Sequence, residues 1–126
     1  MPLFDNTLKA LDLALGAASQ RQAVLSNNLA NVNTPMYKRQ DVNFDGVLAK
    51  ALDSEKAAGD IGAPALDSLA PQVYTDTTTS MRADGNNVDV DNEMANLAEN
   101  NVRYNALVQL AAKNIDTIRD VAANSR

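Results

Sequence analysis

The chain has no cysteine, no histidine and no tryptophan among its 126 residues. Without cysteine no disulfide or thiolate metal site can form, and without histidine the commonest neutral-pH general base and metal ligand is gone. Enzyme readings lose most of their usual parts, and no cofactor is expected. Only Phe4, Tyr37, Phe44, Tyr74 and Tyr104 are aromatic, and much of the 45% hydrophobic fraction is alanine, which buries little area per residue. A dense globular interior is not expected. No apolar run reaches the ~18 to 20 residues that span a bilayer, and the N-terminus lacks a basic region followed by an unbroken apolar core. These absences predict a soluble chain with no direct membrane insertion and no cleaved secretion signal. Residues 1 to 50 carry five basic and four acidic side chains, residues 51 to 126 six and twelve, for a net charge of −5. An acidic chain of this kind is a poor partner for nucleic acid.

What is present is periodicity. Leu8, Leu11, Leu15, Ala18, Leu25, Leu29 and Val32 recur at alternating spacings of three and four, with Gln22 the one polar residue in the row. That is a heptad seam. The helix that carries it is predicted to start near Asp5 or Asn6, whose side chains can cap the first turn. It should end between Asn31 and Thr34. Pro35 lacks an N–H and biases Thr34 away from the helical region, while Asn31 and Asn33 tolerate the left-handed geometry that ends helices. With Pro35 first and Met36 second at the centre of the following turn, methionine favours type I where glycine would permit type II.

A second seam runs through Met94, Leu97, Tyr104, Val108, Ala111, Ile115, Ile118 and Ala122, with Asn101 as its polar member. Leu107, Leu110 and Val121 lie beside it and widen the apolar stripe, so the helix should face more than one neighbour. Asp89 is its expected cap, and Asp91 and Glu93 in the first turn suit the positive end of the helix dipole. Between the helices the pattern predicts an extended piece at Asp41–Phe44, a brief helix at Val47–Leu52 and a loop over 53–72 broken by Pro64 and Pro71. One or two short strands are expected between Val73 and Arg82, then a turn at Asp84-Gly85-Asn86. The acidic groups around that turn lack the ligand order of a calcium loop, with Val88 and Asp89 where an oxygen and a glycine belong.

The expected fold is mainly α: two long terminal helices forming an antiparallel coiled-coil-like pair, joined by a loop-rich middle with short β segments. The expected regions are an N-terminal axial helix at 1–35, a turn, loop and β region at 36–85, and a C-terminal axial helix at 86–126. Fully burying a Leu, Ile or Val gains ~1.5 to 3 kcal/mol, and a two-helix contact leaves most of them half exposed. Such a hairpin is marginal alone, and helices from other subunits would supply the missing burial. Gly16 reads equally as a tolerated surface glycine or as room for a neighbouring helix. Asparagine is dense near the helix ends, and Asn28 and Asn31 are the best candidates for fixing register between subunits. Capping and exposure account for most of the others.

The string Ser26-Asn27-Asn28-Leu29-Ala30-Asn31-Val32-Asn33-Thr34-Pro35-Met36-Tyr37-Lys38-Arg39 resembles the N-terminal signature of flagellar basal-body rod, hook and related axial proteins. Asn28, Asn31, Asn33, Thr34, Pro35 and Tyr37 match its turn positions, and Met36 stands where glycine is common. A second stretch, Met81 to Met94 followed by Leu97-Ala98-Glu99-Asn100 and Arg103-Tyr104, is similar to the C-terminal signature of a proximal-rod member of that family. Together the resemblances cover roughly the first 40 and last 45 residues.

The resemblance implies a structural subunit of the bacterial flagellar proximal rod, in the periplasmic space, self-associating in a helical array that transmits torque. Its implied partners are other rod subunits, the membrane-embedded basal-body base and the export gate, reached without cleavage of a signal peptide. Leu8, Leu11, Leu15, Leu25, Leu29 and Val32 on one helix, and Met94, Leu97, Tyr104, Val108, Ile115 and Ile118 on the other, are the candidate assembly seams. Phe44 and Leu48 resemble the signal that such subunits present for export, although anchoring by Phe44 explains them equally. Set apart from the resemblance, the seams also fit a cytoplasmic helical-hairpin adaptor or chaperone that dimerises through them. An adaptor should purify as a well-folded helical dimer, a rod subunit as a poorly ordered monomer.

Overall fold

In the computed structural model, which describes residues 2–56 and 69–124, five elements follow one another. Helix α1 spans Pro2–Ala30, strand β1 Gln40–Val42, helix α2 Phe44–Lys56, strand β2 Val73–Thr75 and helix α3 Val90–Asn124. At 1.5 Å per residue the 29 residues of α1 and the 35 of α3 make rods of roughly 43 and 52 Å. They run antiparallel: Asn28 of α1 meets Glu93 of α3, while Ala18, ten residues earlier, meets Asn100. No described helix is long and apolar enough to cross a membrane.

Small residues set how closely these helices approach. Ala14, Ala17 and Ala18 are buried on α1, and the Phe44 ring at the start of α2 fills the space they leave, with Leu48 and Leu107 packed around it. Asn43 caps α2, its Oδ1 accepting from Gly46 N at 2.9 Å, which satisfies one of the N–H groups left open in a first helical turn. From the other side the Arg103 guanidinium lies 4.5 Å from the centre of the Phe44 ring, a cation–π contact. Asp89 Oδ1 accepts from Asp91 N and Asn92 N and so caps α3 as expected. Strands β1 and β2 pair antiparallel, Asp41 opposite Tyr74.

Several expectations are corrected. Helix α1 starts at Pro2 rather than near Asp5. Helix α2 is longer than the brief turn expected and runs through Lys56, so 53–56 are helical and not loop; residues 57–68 of the expected loop lie outside the described residues. The expectation of one or two short strands between Val73 and Arg82 is met by one, Val73–Thr75.

On α1, Leu25 is buried, while Leu8, Leu11, Leu15, Leu29 and Val32 are half-buried. On α3 the side facing α1 sits one position behind the expected seam. Glu93 and Asn100 are buried there, whereas Met94 (56% exposed), Tyr104 (40%), Val108 (43%) and Ile115 (51%) point outward and Leu97 and Ile118 are intermediate. Periodicity follows the most apolar row, but polar side chains whose partners wait on the opposite helix can be buried in its place.

The turn after α1 also departs from expectation. Tyr37 N donates to Thr34 O at 3.3 Å and Met36 has φ +61°, so the turn is of the type II class although its second central residue is not glycine. Met36 N donates to Asp84 O at 2.9 Å, which holds the strained residue in place. Gly85 beside it has φ +79°, and a Cβ there would come within 2.8 Å of Met36 Sδ. An L-residue in the left-handed region costs ~1 to 2 kcal/mol, and glycine gives back part of that gain as unfolded-state entropy. Met36→Gly is therefore expected to stabilise the fold by ~0.5 to 1 kcal/mol, and Gly85→Ala to destabilise it by more than ~1 kcal/mol. Urea unfolding midpoints of the two variants measure both.

Candidate functional site

Where α1 ends, its last carbonyls need donors, and they receive them from some fifty residues further along the chain. Asn86 is fully buried, and its Nδ2 donates to the carbonyls of Asn31, Val32 and Thr34 at 3.1, 3.1 and 2.9 Å. Arg82 Nη1 donates to the Val32 carbonyl at 2.7 Å. The Asn86 Oδ1 accepts from Val88 N at 2.7 Å, holding the chain in the shape that leads into α3. Asn87, equally buried, accepts from Arg39 N at 2.7 Å and donates to Asp76 O and Thr79 Oγ1. The two signature stretches thus form one polar junction.

Asn28 is its centre. Buried on the last turns of α1, it donates through Nδ2 to Gln40 O at 2.6 Å and to Glu93 Oε2 at 3.1 Å. Its Oδ1 accepts from Tyr37 Oη at 3.1 Å and Gln40 N at 2.9 Å. Both donors and both acceptor positions of the amide are used inside the chain. The Asn28 amide is therefore engaged within the chain, joining the end of α1 to β1 and α3. Asn31 also serves the turn, donating to Asn27 and accepting from Thr34 Oγ1 at 3.1 Å. Asn33, Thr34 and Pro35 are exposed, and Tyr37 is half-buried over Asn28.

Charge closes the junction. Arg39 Nε donates to Glu93 Oε1 at 2.6 Å and Arg39 Nη2 to Asp41 Oδ2 at 3.3 Å, while Arg21 Nε donates to Asp41 Oδ1 at 2.8 Å. Burial pushes the Asp41 carboxyl up, but hydrogen bonds from Arg21, from Val42 N and from Arg39 outweigh it and hold the group below its ordinary value. Burial works to lower Arg39, and its pairing with Glu93 and Asp41 more than offsets that. Tyr37 is raised by burial and then by the Glu93 charge.

Sequence reasoning missed Arg21, Arg39 and Asp41 as members of this network, and took Glu93 only for a helix-dipole residue. Doublets of asparagine beside helix ends were the visible signal, since such residues are poor helix formers that favour caps. Phe44 and Leu48 belong elsewhere, to the packing of α2 on α1. Nothing in the junction forms a nucleophile–base pair or an open polar cleft; its groups are consumed by one another.

The family model for flagella basal body rod protein matches residues 10–38, which is most of α1 and the turn after it. The flagellar basal body rod protein FlgB of Bacillus subtilis is 33% identical over 132 residues, covering all of both chains. The chain belongs to the FlgB family of flagellar basal body rod proteins. The FlgB of Borrelia hermsii is 30% identical, covering 96% of this chain and 98% of its own. The FlgB of Escherichia coli K12 is 32% identical, covering 79% and 80%. FlgB relatives of this kind are structural rod proteins, and membership makes the chain a structural component of the basal-body rod. Nothing in these similarities favours an adaptor or chaperone.

Two outcomes test the junction. Asn28→Asp sets a second carboxylate against Glu93 at hydrogen-bond distance; it should cost ~3 kcal/mol or more at pH 7 and recover in part towards pH 5, as one of the pair takes a proton. Asp41 has a depressed value when folded, so its stabilisation is present above its unfolded pKa of about 3.9 and is lost as pH falls through the folded value. Urea midpoints should therefore fall below about pH 4 in the parent chain and fall less steeply in Asp41→Asn.

Proposed function

We propose that the chain is a proximal-rod subunit in the periplasmic span of the flagellum, self-associating through its terminal helices into a torque-transmitting tube. The observation that carries this is the outward face of α3. Met94, Tyr104, Val108 and Ile115 share one stripe of that helix and are all exposed, more contiguous apolar surface than single exposed residues would make. Contacts on dissimilar faces propagate into an open helix instead of closing as a dimer. Packed apolar side chains at those contacts would give the tube its stiffness. The role is structural, with other rod subunits and the membrane-embedded base as the neighbours, and no catalytic step is assigned.

Export would keep α1 in place, because Ala14, Ala17, Ala18 and Leu25 belong to the buried interior. Phe44 is also buried, so an export gate that reads Phe44 and Leu48 must meet the chain before it folds. Phe44→Ala with Leu48→Ala should then block secretion, while Leu25→Ala, which also removes a buried side chain and costs ~2 to 5 kcal/mol, should not. Equal secretion of both would leave Phe44 as an anchor alone.

The assembly reading is tested with Val108→Glu and Ile115→Glu together. Both sites are exposed, so the isolated chain should keep its circular-dichroism melt, while cells carrying the variant lose the subunit from isolated basal bodies and stop swimming. Normal swimming would refute the reading.

A further inference from the structure

Among the described residues, Met36 alone holds a positive φ, +61°, without being glycine. An L-residue in that region is disfavoured ~5- to 30-fold against the right-handed form. Nothing local demands it. Pro35 at the first central position suits type I and type II turns alike, and with methionine at the second the type I form is the relaxed one. The bond that closes the turn, from Tyr37 N to Thr34 O, is common to both types. The turn is therefore held in its costlier form from outside.

The two forms differ by a half-rotation of a single peptide, the one joining Pro35 to Met36. That peptide carries the Met36 N–H, which donates to Asp84 O at 2.9 Å. Flipped to type I, the N–H would point away from Asp84 and the Pro35 carbonyl would take its place, oxygen facing oxygen. Docking of the segment that carries Asp84 thus selects type II, and without that segment nothing offsets the cost. The same segment brings Gly85, whose missing side chain leaves room for Met36 Sδ. It also brings Asn86, whose amide donates to the carbonyls of Asn31, Val32 and Thr34.

Beyond the turn, Arg39 N donates to Asn87 Oδ1 and Gln40 N to Asn28 Oδ1. One peptide stands between these bonds and the capped end of α1, and its orientation depends on whether residues 82–87 have docked. The long helices have other ties. Phe44 packs against Ala14, Ala17 and Ala18, with Leu107 beside it, and Asn100 of α3 donates to Ala18 O and Gln22 Oε1. Those contacts do not pass through the turn.

We propose that the Pro35–Met36 peptide is a two-state switch, type II while residues 82–87 are docked on the end of α1 and type I once they leave. The junction opens and closes through it as a unit, apart from the apolar interior. Glycine at position 36 would accept either form, whereas methionine weights the balance towards opening. In the closed state the amides of Asn28, Asn86 and Asn87 are all used inside the chain; the open state releases them. None of this depends on the assembly reading.

The sign of one substitution tests the switch. In the intact chain Met36→Gly should raise the urea midpoint, because glycine relieves the docked form. With the segment undocked by Arg82→Ala and Asn86→Ala together, the turn is already relaxed and glycine only adds freedom to the unfolded chain. There the same substitution should lower the midpoint. A rise of equal size in both backgrounds would overturn the proposal. Hydrogen exchange of the intact chain gives a second reading that needs no undocked variant. The amides of Met36, Arg39, Gln40 and Val88 donate to Asp84 O, Asn87 Oδ1, Asn28 Oδ1 and Asn86 Oδ1. Corrected for intrinsic rates, they should share one protection, lower than that of the Ala18 amide. Met36→Gly should slow all of them by the same ~2- to 5-fold. Unrelated protections among these amides, or protection equal to that of Ala18, would show that the junction does not open as a unit and would overturn the switch.

Discussion

A helix that stops leaves its last carbonyls without an intrahelical partner, and this structure depends on how those at the end of α1 are met. The chain supplies the donors from residues 82 and 86, on the other side of the middle region. Once Asn86 holds the end of α1, Asn87 holds Arg39, Arg39 holds Glu93, and Glu93 holds Asn28. Each contact sets the geometry for the next. The start of α3 is thereby fixed against the end of α1 by hydrogen bonds and charge, with little help from apolar area.

That division of labour explains the composition. Interior positions near the middle of α1 are alanines, which bring helices close but gain little each, and one phenylalanine from α2 fills the space they leave. Several of the larger apolar residues of α3 are not spent on this interior. Met94, Tyr104, Val108 and Ile115 stay on the surface of α3. Buried polar groups in the junction are fully paired, which favours one arrangement over many.

How much of this was legible in the sequence differs by level. Both long helices, their antiparallel sense and the cap at Asp89 follow from period and local chemistry, because these depend on residues within a turn or two of each other. The face of α3 did not, since Glu93 and Asn100 look like surface residues until Asn28, Arg39 and Gln22 are set opposite them. The turn at Met36 was misjudged for the same reason: its left-handed backbone is held by Asp84, far along the chain. The asparagine-rich strings announced that something polar happens at the helix ends. Which atom meets which is a property of the folded chain and not of either string.

The separation of the two halves of the junction bears on the order of folding. Asn28 and Glu93 are 65 residues apart, and bringing such distant segments together must be offset by contacts made only once both are present. A chain threaded through a narrow channel with its N-terminus leading would emerge with α1 first and its terminal carbonyls uncapped. It would stay pliable until the last third arrived, and so would travel as a strand and set only at its destination.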